Sequence, residues 1–380
     1  MNFLHISDLH IGKKLCGKSL IDDQRHILSE ILEMARRKDV NALLLAGDIY
    51  DKSQPGGEAV ELAGWFLTEL AATGKPCFIV SGNHDSAEQV AYCRSILSGA
   101  KLYVSPAYAG PAERHVLRDE NGEVHVYLLP FVRPAQVRRA HPERAKEIAG
   151  YADALRVAVE EMRIDPSVRN VLVAHQFVCG AHDMELTDSE ERMVGGVDAV
   201  PADIFAGFDY VALGHLHAPQ RVKGDRIRYA GSPLKYSLSE EKQRKAALLV
   251  KLADGFEVEA LPYHPLRDVK GISGTLEELT GETIDRDYVF VTLTDELPPL
   301  DALGSLLLSY PNLVQHRIRN SRSGEAADFV QAERVEEKNP LEHFVEFFAT
   351  QNAGAEPTVR QMEIMKKVIE EAEVKCGASR

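Results

Sequence analysis

Cysteine is scarce in this 380-residue chain, and apolar runs of membrane length are missing. The five cysteines, Cys16, Cys77, Cys93, Cys179 and Cys376, are odd in number and show no Cys-x-x-Cys spacing. That argues against a disulfide framework and a thiolate zinc site, and it reads as reduced thiols of a cytoplasmic protein. No apolar stretch approaches the roughly 20 residues a membrane helix requires. The first strand pattern begins at Asn2, so no signal peptide is expected. Positive charge is in deficit too: 44 Lys and Arg stand against 58 Asp and Glu, a formal net charge of −14. Taken alone, this argues against a nucleic-acid enzyme. The deficit is uneven, however. Residues 1–245 carry 30 basic and 34 acidic side chains, residues 246–380 carry 14 and 24. Acids of the first part that ligate metals would have their charge offset by the ions. Basic stretches remain at Lys13, Lys14 and Lys18; at Arg133, Arg138 and Arg139; at Arg221, Lys223, Arg226 and Arg228; and at Lys242, Arg244 and Lys245. Each is either solvated surface or a phosphate contact.

The length predicts two or three domains. Helical periodicity is present over Ile21–Lys38, Gly57–Ala72, Ala87–Leu97 and Ala145–Met162. Interleaved apolar runs give strand, helix, strand, helix, strand, the start of a layered α/β domain. Asn121-Gly122 marks a hairpin, and from Pro219 to Ala260 the pattern turns to short strands. This first domain is expected to span residues 1–265. Strand, helix and strand at Tyr288–Leu293, Leu300–Ser309 and Leu313–Ile318 form a small α/β unit within residues 266–325. A polar linker follows, then a tail at residues 336–376 with amphipathic helices Pro340–Gln351 and Pro357–Val374. Its apolar residues, including Phe344, Phe347, Phe348, Met362 and Met365, suit docking on another chain.

Five short motifs carry metal-ligand chemistry: Asp8-Leu9-His10, Gly47-Asp48, Gly82-Asn83-His84-Asp85, a lone His175, and Gly214-His215-Leu216-His217. Each directly follows an apolar run that reads as a buried strand: Phe3–Ile6, Ala42–Ala46, Phe78–Val80, Val171–Ala174 and Tyr210–Leu213. In open α/β sheets, ligands bind beyond the carboxyl ends of strands. Five strands ending in Asp, Asn and His therefore aim at one crevice, a site for two divalent metals suited to attack on a phosphate ester. The expected allocation puts Asp8, His10, Asp48 and His217 on one ion. Asp48 bridges to the second, which Asn83, His175 and His215 complete. Mixed oxygen and nitrogen donors suit manganese, iron or zinc. His84 is then left to protonate the leaving oxygen, and Asp51 is expected to orient it. Asp85 is the alternative orienter, or a cap for the helix near Ala87. His182, in the loop after His175, is a candidate for the site edge.

These motifs resemble those of the calcineurin-like metallophosphoesterase superfamily. The segments His175-Gln176-Phe177-Val178-Cys179-Gly180 and Tyr229-Ala230-Gly231-Ser232-Pro233-Leu234 are similar to segments of its bacterial DNA nuclease subunits. So are Arg267-Asp268-Val269 and Gly274-Thr275-Leu276-Glu277-Glu278-Leu279. The resemblance implies a two-layered β-sandwich flanked by helices, with the small unit as a capping domain that contacts DNA. It also implies a Mn2+-dependent exonuclease on duplex ends and endonuclease on single strands and hairpins, working in DNA repair, recombination and replication. A nuclease homodimer is implied, joined in a heterotetramer to a coiled-coil ATPase that the tail would hold. DNA contacts are expected at Arg133, Arg138 and Lys235. Residue 51 is Asp here, where archaeal relatives can carry a second histidine.

Other readings share part of this pattern. A protein Ser/Thr phosphatase would carry an Arg clamp after GDxVD, and here Lys52-Ser53 follows Asp51. A small-molecule or cyclic-nucleotide phosphodiesterase fits the five motifs but leaves the small unit and tail without a use. A metal-stabilised scaffold for an ATPase leaves His84 without one.

Overall fold

The computed structural model describes residues 1–180, 184–190, 198–253, 255–281, 284–297 and 301–319, with residues 344, 345, 348, 357, 358, 360–362, 364 and 365. Two compact units divide the chain, Met1–His316 and Arg317–Arg380.

The larger unit is built on two six-stranded sheets. The first runs, in spatial order, Phe256–Pro262, Ala246–Leu252, Asn2–Ile6, Ala42–Ala46, Cys77–Val80 and Leu102–Val104. The second runs Gln220–Lys223, Ile227–Tyr229, Tyr210–Gly214, Arg169–His175, Gly122–Leu129 and Glu113–Asp119. The central strands are parallel and almost wholly apolar, as strands buried on both faces must be. Outer strands such as Glu113–Asp119 pair antiparallel and alternate in exposure. The two sheets share one core: Phe3, Leu44, Phe78 and Val80 of the first pack in a cluster with Val126, Val171, Val173 and Tyr210 of the second. On the second sheet, side chains of the opposite parity, among them Tyr127, Leu172 and Leu213, join Val137 and Leu155 of the helices Pro134–Ala140 and Tyr151–Glu160. Helices Ile21–Arg36 and Gly57–Ala72 bury Ile27, Leu28 and Ile31 and Leu62, Phe66 and Leu70 respectively. This is the α/β sandwich expected.

Two helices differ from the periodicity. Ala87–Leu97 is split into Ala87–Val90 and Arg94–Gly99, with Cys93 left-handed at φ 62° between them. Neither piece buries a residue, so no packing holds one continuous helix across the break. The helix expected from Ala145 begins at Tyr151, because Gly150 is extended and only a 3-10 turn, Pro142–Glu147, precedes it.

Residues 269–318 form a three-stranded sheet, Val269–Gly274, Tyr288–Leu293 and Leu313–Ile318, with the helices Leu276–Leu279 and Ala302–Ser309. Val269–Gly274, which the sequence pattern missed, runs parallel to Tyr288–Leu293. Val289, Val291, Leu293, Leu306 and Leu313 make the core of this unit. In the tail, Phe344 and Phe348 are helical with ring centroids 5.8 Å apart, and Met362 and Met365 are helical too. Phe347 lies outside the described residues.

Candidate metal centre

Both sheets end at one place. Asp8, Asp48 and Asn83 follow strands of the first sheet, while His175 ends its strand and His215 follows Gly214 in the second. Gly214 and His175 are register partners, which sets the two histidine strands side by side. The turns that carry these side chains are strained. Asp8 (φ 52°), His10 (φ 42°), Asp48 (φ 50°) and His215 (φ 114°) all have positive φ. Such conformations cost about 1–3 kcal/mol each and persist only where surrounding structure holds them. Here main-chain bonds do so: the Asp8 N–H donates to the Gly47 carbonyl (3.1 Å) and the His10 N–H to that of Asp48 (2.9 Å). Gly82 is required by close approach, since a Cβ there would overlap the Asp48 carboxylate.

Asp48 is central. Its Oδ2 lies 3.3 Å from His175 Nε2, 3.5 Å from His10 Nε2 and 4.0 Å from His84 Nε2. Its Oδ1 accepts the His84 N–H at 3.0 Å. To one side, His10 Nε2 and His217 Nε2 face each other at 3.0 Å. To the other, Asn83 Oδ1 sits 3.0 Å from His175 Nε2 and 2.9 Å from His215 Nδ1. Asp8, His10 and His217 bring ligand atoms within 4.8 Å of one another, as do Asp8, Asp48 and His175, and His10, Asp48 and His84. The seven expected ligands are thus gathered in one place, and His84 stands within ligand reach as well.

The electrostatics suit divalent cations. Burial pushes the imidazoles of His10 and His217 below their ordinary range, and that of His215 down to about 3, so they stay neutral with lone pairs to donate. Burial alone would raise the Asp48 carboxyl, but the imidazoles beside it, His175 first, outweigh it and hold it well below the usual range. Asp48 in turn raises His175 to about 9 against its burial, and burial raises Asp8 to about 7, so a cation entering here displaces protons from both. His175 Nδ1 donates to the Ala46 carbonyl at 2.8 Å, and His217 Nδ1 to Ser189 Oγ at 2.6 Å. A hydrogen bond at Nδ1 turns the Nε2 lone pair inward, the usual posture of a metal-binding imidazole. Two carboxylates, an amide oxygen and four inward imidazole nitrogens at one buried point fit a pair of divalent cations.

Several expectations change in detail. His84 Nδ1 donates to the main-chain carbonyl of Asp51 (2.9 Å), while the Asp51 carboxylate binds Lys13 at 2.9 Å. What residue 51 gives His84 therefore comes from its backbone, whatever its side chain. Asp85 neither orients His84 nor caps a helix: Ser86 is the cap. Asp85 instead accepts the N–H groups of Gly82, Ile49 and Tyr50, tying the two ligand loops together. Of the three expected DNA contacts, only Arg133 is exposed beside the centre, its guanidinium 5.1 Å over the ring of Phe131, which stacks on His215. Arg138 donates to the carbonyls of Ile148 and Ala149, and Lys235 to Asp268 and the Glu241 carbonyl. Lys223, Arg226 and Arg228 pair with Asp203, Asp209 and Asp225. His182 lies outside the described residues.

One group escaped the sequence. The Ser189 hydroxyl relays from His217 to Glu240 Oε1 at 2.5 Å, and Glu240 Oε2 binds Lys245 Nζ at 2.6 Å. Lys245 also donates to the His217 carbonyl (2.8 Å), and Glu190 accepts the His217 N–H (2.6 Å). Burial opposes ionisation of Glu240, yet the nearby His217 imidazole and the Lys245 ammonium hold its carboxyl well below the ordinary range. In the sequence, Glu240 and Lys245 sit within Ser239-Glu240-Glu241-Lys242-Gln243-Arg244-Lys245, which reads as a charged surface run.

Comparison with known proteins agrees with this geometry. The family described as calcineurin-like phosphoesterase matches residues 1–219, more than half of the chain, which makes this a metallophosphoesterase. A second family, described as the type 5 capsule protein repressor C-terminal domain, matches residues 262–352. The chain is 31% identical over 324 residues to the SbcD component of the SbcCD nuclease of Staphylococcus epidermidis, covering 83% of this chain and 84% of that protein. Within the calcineurin-like phosphoesterases, the chain belongs to the SbcD family. Likeness to solved structures is lower. A dimetal phosphatase from Danio rerio is 12% identical, with TM-score 0.39, over 70% of this chain and 99% of that one. The sulfate thiohydrolase SoxB of Thermus thermophilus is 14% identical, with TM-score 0.38, over 69% and 56%.

Proposed function

We propose that this chain is the nuclease component of an SbcCD-type complex. In this reading it is a Mn2+-dependent exonuclease on duplex DNA ends and an endonuclease on single strands and hairpins. The observation that carries it is the convergence of ligand atoms from both sheets on Asp48, with His84 alongside. Asp8, His10, Asp48 and His217 would hold one cation; Asp48, Asn83, His175 and His215 the other. Divalent cations so held neutralise phosphodiester charge and make water a better nucleophile. His84, fixed through Nδ1, turns Nε2 toward the centre, where it delivers a proton to the leaving oxygen. Arg133 and the neighbouring Phe131 ring offer a charged and a stacking contact for the strand.

The small unit within 266–325 is read as the DNA-contacting cap. The tail, 336–376, is read as the dock for an SbcC-like coiled-coil ATPase through Phe344, Phe347, Phe348, Met362 and Met365. Homodimerisation uses the short helices Ala87–Val90 and Arg94–Gly99 and the turn between them, where Tyr92 of the turn is 78% and Ile96 75% exposed. The heterotetramer works in the cytoplasm, in DNA repair, recombination and replication; no helix among the described residues is long and apolar enough to cross a membrane. The test is hydrolysis of blunt duplex and hairpin DNA by the purified chain with Mn2+, alone and with its ATPase. Deleting 336–380 should abolish co-purification with the ATPase and spare the activity of the isolated chain. Absence of DNA cleavage by both the chain and the pair, with hydrolysis of a cyclic nucleotide intact, would favour the small-molecule phosphodiesterase reading.

A further inference from the structure

Away from the metal ligands, residues that precede the strand Ala246–Leu252 and that end or follow its neighbour Phe256–Pro262 line a cleft of about 400 Å3 against the start of the small sheet. That volume suits a small organic ligand and far exceeds an inorganic anion. Leu234, Pro262, Tyr263, Pro265, Val269 and Tyr288 give it apolar and aromatic walls. Its charged groups are mostly matched already. Arg267 holds Asp23 through two hydrogen bonds (2.9 and 2.6 Å), and Tyr288 donates to the same carboxylate. Lys235 pairs with Asp268, Lys245 with Glu240, and Glu241 accepts the Gly271 N–H. Two lining cations, Lys242 and Arg244, are exposed and have no ion pair among the described residues.

An apolar, aromatic slot with two uncommitted cations at its edge recognises a flat apolar body joined to a dianion. The Tyr288 ring is already covered by the Arg267 guanidinium, 5.3 Å from its centroid. We propose that this cleft binds a nucleoside monophosphate, the base against the Tyr263 and proline walls and the phosphate on Lys242 and Arg244. None of the expected metal ligands lines it. Among the described residues, Lys245 links it to the metal centre: it lines the cleft and donates to the His217 carbonyl. Nucleotide occupancy is therefore positioned to be felt at His217.

The test is calorimetric titration of the full chain with dAMP in excess EDTA, so that no divalent ion recruits phosphate to the metal centre. One dAMP per chain is expected, with deoxyadenosine and inorganic phosphate each bound about tenfold or more weakly, since each supplies one half of the recognition. Lys242→Glu/Arg244→Glu should lose dAMP binding while its unliganded denaturation midpoint stays near wild type, both residues being exposed. Asp48→Asn should keep it. No binding of dAMP at millimolar concentration, or undiminished binding by the charge-reversed variant, overturns the proposal. Loss of binding in Asp48→Asn would move the ligand to the metal centre, and phosphate binding as tight as dAMP would leave a simple anion site; either also overturns it.

Discussion

Replacing Glu240 by glutamine removes one charge and almost no volume, and it separates two jobs of a single side chain. Glu240 is fully buried, and the Lys245 ammonium beside it is buried too. Their contact at 2.6 Å is the shortest ion pair that either makes among the described residues. Taking one partner from a buried pair costs about 3–5 kcal/mol, because the remaining charge is left uncompensated. Burial already lowers the Lys245 pKa, so without Glu240 the lysine can shed its proton at alkaline pH, and the penalty should shrink as pH rises. The second job is to anchor Ser189, which fixes His217 Nδ1. Glutamine keeps an amide oxygen for that bond, so this job is tested at Ser189: Ser189→Ala removes the partner of His217 Nδ1 and should weaken metal affinity by about 10–100-fold. Urea denaturation and competition for Mn2+ against a chelator measure the two effects separately. The double variant Glu240→Gln/Lys245→Met should regain most of the stability and, like Glu240→Gln, keep Mn2+ affinity near wild type. Unchanged Mn2+ affinity in Ser189→Ala would refute the positioning role. A double variant as unstable as the sum of the singles would refute the pairing.

The other expectations are independent of that pair. His84→Ala should retain both metals by elemental analysis and lose about 10²–10⁴-fold in phosphodiester cleavage, the usual worth of general acid catalysis; loss of a metal would instead make His84 a ligand. Asp48→Asn should lower metal occupancy and activity together, whereas Asp8→Asn should cost mainly one ion; full double occupancy in Asp48→Asn would contradict the bridge. His5 is buried between the Tyr210 hydroxyl and the Leu213 carbonyl, and burial brings its pKa down to about 3. The unfolded chain takes up that proton near pH 6.5 and the folded chain does not, so stability is lost as pH falls below 6.5, by roughly 1.4 kcal/mol per unit. Between pH 6.5 and 5 the wild type should lose about 2 kcal/mol more than His5→Gln in urea titrations. Tyr92→Asp/Ile96→Asp should convert a dimer to a monomer by light scattering, and a wild type already monomeric at micromolar concentration would contradict the proposed interface.

By itself the sequence determined most of the elements and which donor side chains stand at their ends. Apolar runs such as Ala42–Ala46 and Tyr210–Gly214 are legible because a strand buried on both faces has no polar position, and the Asp, Asn or His that breaks the run marks its end. The sandwich was legible only through resemblance, since periodicity does not say which strands share a sheet. Tertiary structure alone decided what lies between distant segments. It put the Asp51 carbonyl, not the carboxylate, on His84, and it drew Asp85 back onto the Asp48 loop. It buried Glu240 and Lys245 from a run of seven residues that contains four other charged or amide side chains. Alternation could not have singled them out, because Leu238–Glu240 is a 3-10 turn and the strand starts only at Ala246. Their burial depends on His217 and Ser189 arriving from other parts of the chain, and contacts of that separation leave no local periodicity to read.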